Sequence, residues 1–194
     1  MNMYEEYKRK RCIYKGTVFQ SKLEARWAVI FDALGIDWIY EPETFRIEWG
    51  NEIICYCPDF YLPKLKIYVE VKPTNDALKQ KAYAIGQMID WEGPLSEGII
   101  ILGPIPDSKR LAYKIPCFSF LNWYKGVMLN YIALLPGTFK LVDEQVDFCE
   151  GIDGVPLETS VDCRFVYCGD KPLLRKLIDA YTDGWYPKHI EELD

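Results

Sequence analysis

Asp59 stands in the run Cys57-Pro58-Asp59-Phe60, and ten residues intervene before Glu70 in Tyr68-Val69-Glu70-Val71-Lys72. Side chains alternate across a strand, so Glu70 and Lys72 share one face and Ile67, Val69 and Val71 take the other. A carboxylate and an ammonium therefore project together from a segment whose other side chains are apolar. Asp59, at the end of the preceding strand-like run, can reach the same place across a hairpin. Two acids and a lysine that meet at a sheet edge suit a hard divalent cation and a phosphate.

These residues need elements to hold them. Ser21-Lys22-Leu23-Glu24 reads as a helix start, with Leu23, Trp27, Ile30, Phe31 and Leu34 at helical spacing and Gly35 as the stop. Asp37–Tyr40 and Thr44–Trp49 look like strands, Gly50-Asn51 a turn, and Glu52–Cys57 the returning strand. Leu62-Pro63-Lys64 turns into a strand over Lys66–Lys72, and Pro73-Thr74 stops it. Leu78, Ala82, Ile85 and Ile89 predict a second helix from Asn75 to Ile89. Gly98–Leu102 is a short, wholly apolar strand of the buried kind. The order is helix, strands, helix, strand. Further on, Phe120–Ile132 is aromatic and is taken as helical. Asp170-Lys171-Pro172 predicts a last helix, with Leu174, Leu177, Ile178 and Tyr181 on one side and Gly184 as its stop.

Ser21-Lys-Leu-Glu24-Ala-Arg-Trp-Ala, Tyr40-Glu-Pro-Glu, Pro58-Asp59-Phe and Val69-Glu70-Val-Lys72 together resemble the PD-(D/E)XK nuclease superfamily. The similarity is to its small phage and mobile-element members, some of which are like Holliday-junction resolvases, and it covers roughly residues 18–105. The resemblance implies an α/β (α+β) fold. Its restriction-endonuclease-like αβββαβ core, with a mixed central sheet, would span residues 1–110. Residues 111–194 would be a C-terminal extension, packed on the core or forming a small accessory subdomain. It also implies a site. Asp59 and Glu70 would bind Mg²⁺ (or Mn²⁺) with the carbonyl of Val71. Lys72 would orient or help deprotonate the attacking water and stabilise charge on the phosphate. Glu24 would be a further metal or water ligand. DNA, branched or otherwise structured, would be the substrate, and a homodimer would suit symmetric cutting of two strands. Such chemistry builds negative charge on the phosphate and the leaving oxygen, which a carboxylate-held cation neutralises.

Each residue also has a plainer reading. Ser21-x-x-Glu24 is a capping box, in which Glu24 bonds back to the Ser21 amide. Asp59 is a favoured residue beside proline in a bend. Glu70 on a half-exposed strand would pair with Lys72 or Lys64. Glu41 and Glu43 flank Pro42 in a loop, and Lys79, Gln80 and Lys81 suit an exposed helix face. Cys55 and Cys57 read as small buried apolar residues. Cys149, Cys163, Cys168 and His189 lack a CxxC pair and the regular spacing of zinc modules. Tyr14, Tyr40, Tyr61 and Trp123 are candidates for stacking on bases.

The chain has 194 residues, 49% of them hydrophobic, enough for one well-buried core. No run of about 18 uncharged apolar residues suggests a membrane span, and the first residues lack the apolar stretch of a signal peptide. A cytoplasmic protein is expected, in the host cytoplasm if phage-encoded. Seven cysteines in such a chain point to free thiols over a disulfide framework. The net charge of −6 is uneven: residues 1–139 hold 17 basic against 16 acidic side chains, and residues 140–194 hold 6 against 13. That excludes a highly charged, non-specific DNA coat but not an enzyme with a local basic rim. The acidic last third supports an alternative of another class, a non-catalytic nuclease-fold binding or regulatory protein, such as a phage counter-defence factor, that acts through protein contacts.

Overall fold

Ser21 starts the first helix because its backbone is extended (φ −143°, ψ 153°) and its Oγ accepts the Glu24 amide at 3.2 Å. That satisfies one of the donors a helix N-terminus leaves orphaned. The helix, α1, runs Lys22–Leu34. Gly35 closes it in the left-handed conformation at φ 70°, and the amides of Gly35 and Ile36 return to the carbonyls of Asp32 and Phe31 at 3.1 and 2.8 Å. Glycine adopts that backbone without the penalty a Cβ brings.

The structure, a computed structural model, describes residues 10–49, 52–64, 66–73, 98–105, 114–118, 122–124, 127–129, 131–135, 138–142, 157–159, 165–168 and 171–193. In chain order the strands are β1 Cys12–Tyr14, β2 Thr17–Phe19, β3 Ile39–Tyr40, β4 Phe45–Trp49, β5 Glu52–Tyr56, β6 Phe60–Leu62, β7 Ile67–Val71 and β8 Gly98–Leu102. They continue with β9 Lys114–Phe118, β10 Asn122–Tyr124, β11 Val127–Leu129, β12 Tyr131–Leu135, β13 Thr138–Val142, β14 Leu157–Thr159 and β15 Phe165–Cys168. A second helix, α2 Lys171–Trp185, and the short strand β16 Glu191–Glu192 end the described chain. The architecture is mixed α/β, with two helices among the described residues.

The sheet that carries Glu70 has six strands in the order β11-β10-β8-β7-β6-β3. Its neighbours are antiparallel except β7 and β8, which run parallel with Glu70 opposite Ile101. A parallel pair needs a crossover connection; the helix expected over 75–89 falls outside the described residues. A second sheet, β13-β12-β9-β15-β14, is antiparallel throughout. Among the described residues β4 and β5 pair only with each other, as a ribbon between β3 and β6.

The core lies where α1 is covered on two sides. Phe31 packs edge-to-face on Phe60 of β6, ring centres 5.4 Å apart, and Trp27 meets Tyr181 of α2 edge-on at 6.3 Å. Trp27 also donates its Nε1 proton to the Gly103 carbonyl just after β8, at 2.9 Å, so the buried indole leaves no polar atom unpaired. Among the described residues no helix is long and apolar enough to cross a membrane.

Two expectations change, and one element is unforeseen. Residues 12–19 form the β1–β2 hairpin, whose three-residue strands are too short to show a clear alternation. Lys15 and Gly16 both take positive φ (49° and 80°) between paired Tyr14 and Thr17, the backbone of a two-residue hairpin turn. The stretch taken as helical over Phe120–Ile132 contains β10, β11 and the start of β12 instead. Its aromatic and β-branched residues favour strands, and Lys125-Gly126 between paired Tyr124 and Val127 is a hairpin sequence. Gly184 does not stop α2, which continues to Trp185. It lies against α1: a Cβ there would stand 2.4 Å from Ile30 Cγ1 and 3.2 Å from the Arg26 carbonyl.

Candidate active site

Strand β7 lies inside its sheet between β6 and β8, and every side chain of Ile67–Val71 except the half-buried Tyr68 is buried. Glu70 consequently has no exposed surface, which removes its plainer reading as a solvent-facing strand residue. A buried carboxylate needs partners. Tyr56, at the end of β5, donates its phenol proton to Glu70 Oε2 at 2.7 Å, and Lys72 sets its ammonium against Oε1.

Asp59 arrives from the residue before β6. Its carbonyl accepts the Glu41 amide at 3.0 Å, a tie made with Glu41 at positive φ (44°). Val71 lies beyond the last paired position of β6 and β7, Phe60 with Val69. Its amide is taken by the Asp59 side chain instead, through Oδ2 at 2.6 Å. The Asp59 Oδ1 oxygen makes no hydrogen bond to any described residue. Lys72, just past β7, is anchored by its own amide to the Leu102 carbonyl at 2.8 Å.

The three groups singled out by the sequence thus meet in one place, and the meeting point is the Lys72 nitrogen. Lys72 Nζ touches Glu70 Oε1, donates to the Val71 carbonyl at 3.0 Å and lies 3.7 Å from Asp59 Oδ2. Those three oxygens come from the same three residues that the resemblance assigns to a metal ion. The ammonium occupies the cationic position itself, so the arrangement of hard oxygens fits a cation.

Charge points the same way. Two carboxylates face one ammonium, which leaves one negative charge uncompensated when both acids are ionised. Burial, and after it the charge of Glu70, pushes the Asp59 carboxyl up to about 8, against the pull of Lys72 and the Val71 amide. A second positive charge would relieve that strain. Among the described residues no group of three or more His, Cys, Asp or Glu side chains gathers as a ligand set. Asp59 and Glu70 are two, and a cation here would complete its shell with the Val71 carbonyl and water, as Mg²⁺ does.

Glu24 stands apart from this cluster. Its Oε1 accepts from the Ser21 hydroxyl at 2.7 Å, and its Oε2 accepts from the Tyr40 phenol at 2.6 Å and the Gln20 amide at 3.2 Å. The capping box therefore forms with the return bond one residue earlier than Ser21. Glu24 is still close enough for its charge to raise Asp59.

Sequence reasoning missed Tyr56, because no spacing rule links a tyrosine at the end of one strand to an acid on another. Tyr40, read as a stacking candidate, is instead bonded to Glu24 and packed on Phe19, ring centres 4.4 Å apart. Tyr14 is buried with its hydroxyl on Asp32 at 2.8 Å, and Tyr61 packs on Tyr68. The Trp123 side chain lies outside what is described. Glu43 accepts from the Tyr68 hydroxyl. Cys55 is exposed, not buried, because its ribbon pairs with no other strand; Cys57 is half-buried. Lys79, Gln80, Lys81, Cys149 and Cys163 fall outside the described residues, and His189 is exposed in a turn after α2.

In comparisons with protein-family models, with curated proteins and with solved structures, nothing matches the chain.

Proposed function

We propose that this chain is a metal-dependent DNA endonuclease of the PD-(D/E)XK kind, built on a restriction-endonuclease-like core. The observation that carries the reading is the convergence of Asp59, Glu70 and the Val71 carbonyl around one cationic position. The strand order supports it. Helix α1, then β3, β6 and β7, then β8 parallel to β7, agree with the described part of the succession that the resemblance implies, with the β4–β5 ribbon inserted and the stretch between β7 and β8 outside the described residues. Asp59 and Glu70 would hold Mg²⁺ or Mn²⁺ together with the Val71 carbonyl. The bound ion would supply charge neutralisation at the phosphate and a more acidic water.

The chain's own residues then divide the work. The Val71 amide fixes the Asp59 carboxylate through Oδ2, the oxygen that faces the Lys72 ammonium, and so orients it toward that position. Glu70 is locked in the sheet and cannot drift from the position that β6 and β8 set. Lys72, once displaced from Glu70 Oε1 and Val71, carries its ammonium to the phosphate or to the attacking water while still tethered by its backbone to Leu102. Glu24 adds negative charge beside Asp59 and strengthens the attraction for a cation. In this reading the protein works in the cytoplasm on DNA, and a homodimer would bring two such sites to two strands.

The test is cleavage of supercoiled plasmid with Mg²⁺ or Mn²⁺ by the unaltered chain, Asp59→Ala and Lys72→Ala. The expected result is nicking by the first alone. Equal cleavage by all three, or none by any, refutes the assignment.

A further inference from the structure

We propose that Tyr56 is a positioning residue that selects the ion: it holds Glu70 Oε2, so that Glu70 meets a cation through Oε1 alone, which suits Mg²⁺ and handicaps Ca²⁺. The inference deepens the metal reading above and rests on it. The phenol donates to Oε2 at 2.7 Å, while Oε1 is the oxygen on the side of Lys72, the Val71 carbonyl and Asp59. Neither partner is free to rearrange. Tyr56 is buried and its backbone is paired with Phe45, and Glu70 is paired in the sheet opposite Ile101.

Ion chemistry turns that into selectivity. Mg²⁺ demands near-octahedral geometry at about 2.0–2.1 Å and is satisfied by single carboxylate oxygens, whereas Ca²⁺ takes 6–8 oxygens at roughly 2.3–2.6 Å and gains from a two-oxygen carboxylate. A Glu70 whose second oxygen is engaged by Tyr56 cannot offer both. Removing the phenol oxygen takes this hold off Oε2.

The experiment is calorimetric titration of the full chain, without DNA, by Mg²⁺ and by Ca²⁺, for the unaltered protein and Tyr56→Phe. The variant keeps the ring and its packing. The ratio of Ca²⁺ to Mg²⁺ affinity should rise about tenfold in Tyr56→Phe, the scale set by losing one hydrogen bond to a charged group. Binding of Mg²⁺ with an unchanged ratio overturns the inference alone; no binding of either ion by the unaltered chain overturns the metal reading and this inference together. Infrared carboxylate stretches of the unaltered protein give a reading that needs no variant. Loading with Mg²⁺ should bring the wide band splitting of a one-oxygen ligand, and the narrow splitting of a two-oxygen ligand contradicts the role given to Tyr56.

Discussion

Lys72 sets its ammonium against the carboxylate of Glu70, two residues back along the chain, where Glu70 has no contact with solvent. Neighbouring positions on one strand face would allow such a pair anywhere. Here the carboxylate is sealed and the ammonium only partly exposed, and a buried charge holds only when its hydrogen bonds are also met. Tyr56 and the Val71 carbonyl meet them. The pair is therefore a cation seat with its own occupant.

An occupant that must leave competes with whatever replaces it. Lys72→Met keeps most of the volume and removes the ammonium. We expect calorimetry to show Mg²⁺ binding tighter by about tenfold in this variant, since a like charge within a few ångströms opposes the ion. Plasmid cleavage should be lost at the same time. Weaker or unchanged Mg²⁺ binding in Lys72→Met would mean that the ammonium and the ion do not share a place.

Gly184 of α2 lies directly against Ile30 of α1. An alanine there gains about 1 kcal/mol of helix propensity, but its Cβ would overlap Ile30 Cγ1, and the Arg26 carbonyl leaves little room to shift. Overpacking of this kind costs roughly 1–3 kcal/mol, so Gly184→Ala should lower the denaturant midpoint. Ile30→Ala removes the obstacle. Chemical denaturation of the two single variants and the double variant should show the double to be more stable than the sum of the singles predicts. Strict additivity would place the strain elsewhere.

Cys12 gives the chain a pH dependence at the alkaline end. The thiol is fully buried, and burial, with Glu24 as the next cause, lifts it from 9.0 to about 11. A group raised on folding contributes stability below its unfolded value, and that contribution is lost as pH rises through the folded one. The loss attributable to Cys12 therefore falls between pH 9 and 11 and should be absent from Cys12→Ala. Iodoacetamide labelling followed peptide by peptide checks the same point: at pH 8 the exposed Cys55 should react quickly and Cys12 hardly at all. Equal rates at both cysteines would contradict the burial.

Ser21 both caps α1 and holds Glu24. Ser21→Ala should cost about 1 kcal/mol of stability, the usual worth of such a cap. It should also loosen a carboxylate whose charge acts on Asp59. Thermal unfolding measures the first effect, and the apparent Mg²⁺ affinity should move less than twofold, because Tyr40 and Gln20 retain Glu24. A large change in affinity would assign Glu24 a direct hold on the ion.

Local rules made parts of this structure readable. Ser21 and Gly35 bound α1 through capping chemistry that acts within a few residues. Glu70 and Lys72 share a face because alternation along a strand needs no tertiary information. What stayed hidden depends on contacts between distant segments. Gly184 looks like a helix stop in sequence and is one only if nothing lies against it; Ile30 does. Tyr56 reaches Glu70 only because the β4–β5 ribbon returns the chain beside β7, and the β1–β2 hairpin is too short to show a clear alternation. Glu24 satisfied its capping and its site readings equally well in sequence. The folded chain shows its oxygens bound to Ser21, Gln20 and Tyr40.

The account stands on one seat for one ion, and a crystal soaked in Mn²⁺ examines it directly through the metal's anomalous signal. We predict a single strong peak bonded to Asp59, to Glu70 through Oε1 and to the Val71 carbonyl, with the Lys72 ammonium moved off Glu70. A map with no peak at that position, and Lys72 still resting on Glu70 at saturating Mn²⁺, would contradict it.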